Sequence, residues 1–342
     1  MNRKLIRINW INFFPGFNEQ LCREKVLYGL EDNFEFQFVN DPDVMIVGCY
    51  GQEELPVGNY LKVGYYTENC PPDLDNCDWF FGCEYEDLIG HPHYRKRIYG
   101  VQDSQLLEGC KDPELALAKK DRFCSFLYSN CQVAIREAFF RALNKRKFVH
   151  APGNSMNNTT DSELCARDSS DWHASKLRYM SRYKFTIAFE NSVRSGYYTE
   201  KLTDAFLCNT VPIYFGDPNV NRTFNCKAMI HARDYIDIDS MRIPRLPEAF
   251  KPFKPLERET SRCNRIFGRT NDLLRCIESW CHSKSSFRNL CDRVLEIDND
   301  DATYCEMLSR PKRTATSGQL QMRYISAWNT ICDEASHSLI SH

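Results

Sequence analysis

A series of short apolar runs with no regular alternation narrows the folds open to this chain. The runs are Val44–Cys49 (VMIVGC), Val63–Tyr66 (VGYY), Trp79–Gly82 (WFFG), Phe123–Tyr128 (FCSFLY), Phe185–Phe189 (FTIAF) and Val211–Phe215 (VPIYF). A strand with one wet face alternates apolar and polar residues, whereas a strand covered on both faces does not. Helical patterns lie between them: Cys22–Leu30, Ala134–Leu143 and Thr199–Cys208, the last with Thr199 as N-cap. Leu5–Trp10 alternates and supplies a first strand, and Pro212 fits near the start of its own. Short buried strands interleaved with helices predict an α/β chain built on parallel sheets.

A length of 342 residues suits two domains of roughly 150 each. The polar stretch 101–120 is the expected connection, which divides the chain into 1–118, 119–306 and a helical tail, 307–342. Residues 151–172, rich in Ser, Asn, Asp and Thr, predict a long surface loop. Residues 243–258 carry four prolines and predict an irregular excursion. Beyond about residue 270 the pattern is helical, with Met307–Gln319 a polar loop before the last helix.

Charge and composition exclude some classes. Lys plus Arg is 44 and Asp plus Glu is 46, a net charge of -2, so no nucleic-acid partner is expected. No apolar stretch approaches the roughly 18–20 residues of a spanning helix. Arg7, Asn9 and Asn12 interrupt the N-terminus, which predicts a strand and not a signal peptide. A cytoplasmic location follows if Met1 is the start; the alternative is a Golgi-lumen catalytic domain separated from a membrane anchor. The 17 cysteines form no CxxC pair and share no zinc spacing with histidines, so mostly free thiols are expected.

Chemistry concentrates in Tyr183–Pro218, YKFTIAFENSVRSGYYTEKLTDAFLCNTVPIYFGDP, which predicts strand, loop, helix and strand. The loop holds Glu190, Asn191, Ser192, Arg194 and Tyr197, and the helix opens with Glu200 and Lys201. A helix N-terminus offers free N–H groups and partial positive charge, which suit a phosphate. Glu200 is equally explained as a first-turn carboxylate favoured by the helix dipole, and Lys201 as an exposed helix lysine. Loops at the carboxyl ends of parallel strands are where open α/β sheets bind ligands.

The spacing FENS, loop, EK, helix, VPIYFGDP closely resembles the donor-binding motif of the α-1,3/4-fucosyltransferases, glycosyltransferase family 10. IRINW, YYTEN (Tyr65–Asn69) and DWFFG resemble the N-terminal half of the bacterial-type members, and AIREAFFRAL (Ala134–Leu143) resembles the first donor-domain helix. The resemblance spans roughly residues 5–235. It implies a GT-B architecture: two Rossmann-like domains with parallel sheets facing a cleft, the first binding an acceptor glycan and the second GDP-fucose. The implied reaction is inverting transfer of L-fucose to a hydroxyl of an acceptor glycan, O3 of N-acetylglucosamine or of glucose being favoured and O4 of N-acetylglucosamine the open alternative.

Carried over residue by residue, the resemblance makes Arg136 and Lys201 the cations on the donor diphosphate. Glu200 becomes a carboxylate near the ribose or fucose, and Glu190, Asn191 and Tyr197 become donor-pocket residues. Glu68 matches the general base, although the bacterial pattern has a Gly between the Thr and Glu that here adjoin as Thr67-Glu68. Glu84 and Glu86 are the reserve candidates. Glu68 is expected to end a buried strand, partly desolvated by Tyr65, Tyr66 and the Pro71-Pro72 loop, and its structural alternative is a carboxylate capping that loop. Inverting transfer needs one base for the acceptor hydroxyl and positive charge for the departing diphosphate.

No cofactor and no metal ligand set is expected, a divalent ion being at most stimulatory, because two cations already serve the diphosphate. The D-x-D pairs Asp41/Asp43, Asp73/Asp75, Asp237/Asp239 and Asp298/Asp300 occur near chance frequency. His91 and His93 predict a surface turn around Pro92. The competing readings are a catalytically inactive glycan- or nucleotide-binding module and a GT-B transferase with another nucleotide-sugar donor.

Overall fold

The computed structural model describes residues 3–97, 106, 108–161, 164–166, 169–236 and 287–338. The expected excursion at 243–258, the pair Asp237/Asp239 and part of the expected connection lie outside these residues.

The unbroken apolar runs form the centres of two parallel sheets. In the first, β1 (Lys4–Ile11), β2 (Phe34–Phe38), β3 (Val44–Val47), β4 (Leu61–Tyr65), β5 (Trp79–Gly82) and β6 (Tyr94–Lys96) run in the order β2-β1-β3-β4-β5-β6. The second contains β7 (Arg122–Ser125), β8 (Val149–His150), β9 (Tyr183–Phe189), β10 (Val211–Phe215) and β11 (Ile230–His231), ordered β11-β10-β9-β7-β8. Every pairing in both is parallel. Strand order therefore reverses direction between β1 and β3 in the first sheet and between β7 and β9 in the second. Crevices at the carboxyl ends of such switch points are where these sheets bind ligands.

Helices cover the faces: α1 (Glu19–Lys25), α2 (Glu86–Ile89), α3 (Pro113–Ala118), α4 (Ala134–Asn144), α5 (Trp172–Ser181), α6 (Glu200–Leu207), α7 (Arg288–Asp298), α8 (Asp301–Ser309) and α9 (Ala315–Ser338). Several expectations shift. The helix expected at Cys22–Leu30 starts earlier, because the Asn18 side chain accepts from Leu21 N, and it ends before Gly29, whose φ of 75° turns the chain. Strand β2 was not expected: FEFQF alternates with Phe34 and Phe36 buried and Glu35 and Gln37 exposed, as an edge strand with one wet face does. The polar strand β6, the short β8 and the polar helix α5 also lacked an apolar run to announce them. The loop expected at Met307–Gln319 shrinks to residues 310–314, since α8 continues to Ser309 and α9 begins at Ala315.

Helix α9 returns to the first sheet. Leu320, Tyr324, Ala327, Trp328, Ile331, Cys332 and Ala335 recur every three or four residues and are buried, all but Leu320 within the first sheet's core. The Trp328 ring stacks on Phe81 at 5.1 Å and 7°. Tyr324 donates to Val26 O at 2.7 Å. The chain thus crosses from the second sheet back to the first after α8. None of the cysteines among the described residues is disulfide-bonded. No helix among them is long and apolar enough to cross a membrane.

Candidate active site

The carboxyl edges of the two sheets face each other, and the loop 190–199 after β9 lies between them. Its geometry begins with Glu190, the first residue past β9. This carboxylate is buried and accepts from Thr199 N at 2.8 Å, from Thr199 Oγ1 at 2.8 and 3.0 Å, and from Lys201 Nζ at 3.1 Å. It thereby holds the start of α6 against the end of β9. Thr199 caps that helix as expected, its hydroxyl facing Lys201 N at 3.4 Å. Burial raises the Glu190 carboxyl above its ordinary range, opposed by Lys201 and the Thr199 hydroxyl. Gly216 passes so close that a Cβ there would sit 2.6 Å from Glu190 Cγ.

Arg136 reaches the same strand end from α4, across the β7/β9 switch point. Its Nη1 donates to Asn191 Oδ1 at 3.1 Å and its Nη2 to Asn130 O at 2.7 Å. The guanidinium lies 3.7 Å from the Tyr128 ring centroid. The residue is 0% exposed, and Nε has no hydrogen-bond partner. Burial lowers the Arg136 pKa, while Tyr128, Glu137 and Glu190 counter that shift. Thus Glu190 faces both cations, by contact with Lys201 and by charge with Arg136. Glu200 occupies the first turn of α6, half-buried.

From the first sheet, Glu68 meets this loop. It accepts from the Tyr197 hydroxyl at 3.3 Å and from the Tyr50 hydroxyl at 2.7 Å. Its surroundings differ from those expected. Glu68 lies three residues beyond β4 and is exposed. Tyr65 turns into the first core, and Tyr66 packs edge-on against Phe80 at 4.7 Å, so neither shields it. The reserve carboxylates are otherwise engaged. Glu84 is buried and ion-paired with Arg194 Nε at 2.5 Å, while Glu86 pairs with Arg323 of α9 at 2.9 Å.

Sequence reasoning missed the residues that seat the loop. Lys96 Nζ is buried and donates to Cys83 O at 2.5 Å and Gly196 O at 2.6 Å. Burial lowers its pKa to about 8, with Asp217 as the main opposing charge. Asn69 contacts Ser192 Oγ at 2.5 Å and Arg194 Nη1 at 3.2 Å. Tyr85 donates to Asp217 Oδ2 at 2.9 Å. Lys96 stands between Arg95 and Arg97, which suggests a solvated basic run. Reading Tyr94–Lys96 as a strand would have placed Tyr94 and Lys96 together on the buried face. Among the described residues, no three His, Cys, Asp or Glu side chains converge as a metal site.

Residues 117–243 match the family described as glycosyltransferase family 10 (fucosyltransferase) C-term. An alpha-(1,3)-fucosyltransferase, FucT, of Helicobacter pylori is 30% identical over 217 residues, 54% of this chain and 43% of that protein. Alpha-(1,3)-fucosyltransferase B of Drosophila melanogaster is 32% identical over 114 residues, 32% of this chain and 26% of that protein. The chain therefore matches less than half the length of these curated relatives. A crystal structure of α1,3-fucosyltransferase with GDP-fucose shares the fold, with a TM-score of 0.62 and 19% identity over 97% of this chain and 91% of that one. The same enzyme class with GDP gives 0.63 at 20% identity, again over 97% and 91%. The segment Phe189–Pro218 and the two facing parallel sheets lead to one statement: the chain has a GT-B fold, and its residues 117–243 are similar to the glycosyltransferase family 10 (fucosyltransferase) C-term family.

Proposed function

We propose that this chain transfers L-fucose from GDP-fucose to a hydroxyl of an acceptor glycan, O3 of N-acetylglucosamine or glucose, with inversion at the anomeric carbon. The observation that carries the reading is the meeting of Glu68 with Tyr197. It places a carboxylate of the first sheet against the loop whose other residues are Glu190, Asn191 and, at its helix, Glu200 and Lys201. The relatives named α-(1,3)-fucosyltransferases support the class of reaction, and the GDP-fucose held by a solved α1,3-fucosyltransferase of the same fold supports the donor.

In this reading Lys201 supplies a point charge to the diphosphate at the start of α6, where the helix dipole adds partial positive charge. Glu190 orients Lys201 before the donor arrives. Arg136 stiffens the floor, holding Asn191 and lending charge from beneath it. Negative charge grows on the diphosphate as the glycosidic bond breaks, and fixed cations stabilise that charge most where water is excluded. Glu68 takes the proton of the attacking hydroxyl from the opposite side, as inversion requires. Two cations meet the charge of the diphosphate without a divalent ion. The reaction releases GDP, so no redox or carrier cofactor enters.

Incubation with GDP-fucose, GDP-mannose or UDP-galactose and a panel of oligosaccharide acceptors tests this. Fucosylated product and GDP from GDP-fucose alone is the expected result. Product from another donor would indicate a different transferase, and nucleotide binding without turnover a binding module.

A further inference from the structure

Resting on that reading, we propose that the Tyr50 ring is the platform on which the acceptor's pyranose ring stacks, with Phe14 bracing it from the side, and that Tyr50 sets acceptor affinity. In the second sheet the candidate donor residues gather at the β7/β9 switch point. The corresponding crevice of the first sheet lies between β1 and β3, and the loops that leave these strands carry Phe14 and Tyr50.

The crevice is built rather than loose. Gly48 N donates to Ile11 O at 2.9 Å and Tyr50 N to Asn12 O at 2.8 Å. The Asn12 side chain donates to Glu53 O at 3.1 Å and accepts from Glu53 N at 3.0 Å. Asn12 itself has a φ of 62°, and a Cβ on Gly48 would stand 2.4 Å from Asn12 O. The two loops are therefore tied backbone to backbone, which fixes where Tyr50 projects.

Tyr50 remains 42% exposed although its hydroxyl is engaged. That hydroxyl donates to Glu68 Oε1 at 2.7 Å and accepts from Thr67 Oγ1 at 3.2 Å. The Phe14 and Tyr50 rings meet edge-on, their centroids 5.6 Å apart and their planes at 77°. A half-exposed aromatic ring, anchored at its tip to the proposed base, offers its negative π-face beside the place where the acceptor hydroxyl must stand. The C–H bonds on one face of a pyranose carry partial positive charge and suit that face. Glu68 Oε2 meanwhile faces Tyr197, so the ring lies one side chain from the donor loop. The platform would take a terminal hexopyranoside with an unobstructed apolar face.

Steady-state kinetics of the full chain with GDP-fucose and N-acetyllactosamine or lactose tests the proposal. Tyr50→Ala is expected to raise the acceptor KM at least tenfold while the GDP-fucose KM stays within twofold. Tyr50→Phe keeps the ring and should hold the acceptor KM within threefold, the loss falling on kcat through Glu68. Phe14→Ala, which leaves Glu68 its hydroxyl partner, should raise the acceptor KM at least threefold and serves if Tyr50→Ala does not fold. Transfer by Tyr50→Ala with an unchanged acceptor KM would overturn the platform alone, as would an unchanged KM in Phe14→Ala. A wild-type chain that neither binds GDP nor releases it from GDP-fucose would overturn the fucosyl-transfer reading itself, and the platform with it.

Discussion

Lys96 Nζ, from the edge strand of the first sheet, donates at 2.6 Å to the carbonyl of Gly196 in the loop that follows β9. The same ammonium holds Cys83 O and lies 4.4 Å from the Tyr85 ring centroid, so one buried cation joins three elements. Gly196 makes this approach feasible: its φ is 81°, and a Cβ would sit 2.1 Å from Cys83 O.

Gly196→Ala should therefore push the loop off the first sheet. A contact that close to backbone has no side chain to yield, and the positive φ adds strain. We expect a loss of about 1–3 kcal/mol in stability and GDP binding weakened at least tenfold. Chemical denaturation and calorimetry check the two effects, and wild-type GDP affinity in the variant would show that the joint does not position the donor loop.

Lys96 also predicts a pH dependence with a definite sign. Its folded pKa is lowered to about 8, whereas an unfolded lysine titrates near 10.4. Below pH 8 both states hold the proton, and the buried charge costs stability. Between pH 8 and about 10.4 the unfolded state binds more protons, so stability rises with pH. The rise belonging to Lys96 is on the order of 3 kcal/mol, and Lys96→Met should remove it. Denaturation curves of both proteins from pH 7 to 10.5 would reveal it as a rise in wild-type stability relative to the variant.

Lys201→Ala should weaken GDP binding by about 1.5–3 kcal/mol, the usual worth of a charged hydrogen bond. Arg136→Ala should weaken it as well and also destabilise the second sheet, because it empties a fully buried site and leaves Asn130 O without its donor. Calorimetric titration with GDP measures both, and unchanged affinity in the two variants would remove them from the donor site.

For Glu68→Gln, turnover should fall by about 10² to 10⁴-fold, the contribution of a general base. GDP affinity should barely move, since a glutamine oxygen can still accept from Tyr197. If turnover persists and Glu84→Gln abolishes it instead, the base lies one strand further along. Loss in Glu84→Gln must be read beside a melting curve, because that variant also weakens the ion pair with Arg194.

Chelation gives a further check. Turnover in EDTA is expected to continue, with at most mild stimulation by Mn²⁺ acting on released GDP. Complete loss in EDTA, restored by Mn²⁺, would assign the diphosphate charge to a metal and not to Lys201 and Arg136.

The central strands can be read from the chain alone, because a strand covered on both faces must be apolar throughout, as VMIVGC and FTIAF are. So can the Thr199 cap of α6 and the gathering of Glu190, Asn191 and Lys201, which a strand–loop–helix turn brings together within a dozen residues. Edge elements were not legible: β6 is Tyr-Arg-Lys, and its burial of Lys96 depends on a neighbouring sheet supplying carbonyl acceptors. The return of α9 to the first sheet is a matter of long-range packing, since an amphipathic stripe specifies that a helix will be buried but not against which partner. So is the exposed position of Glu68 between Tyr50 and Tyr197. That position depends on how two sheets far apart in sequence set their carboxyl edges together, and local pattern carries no information about such contacts.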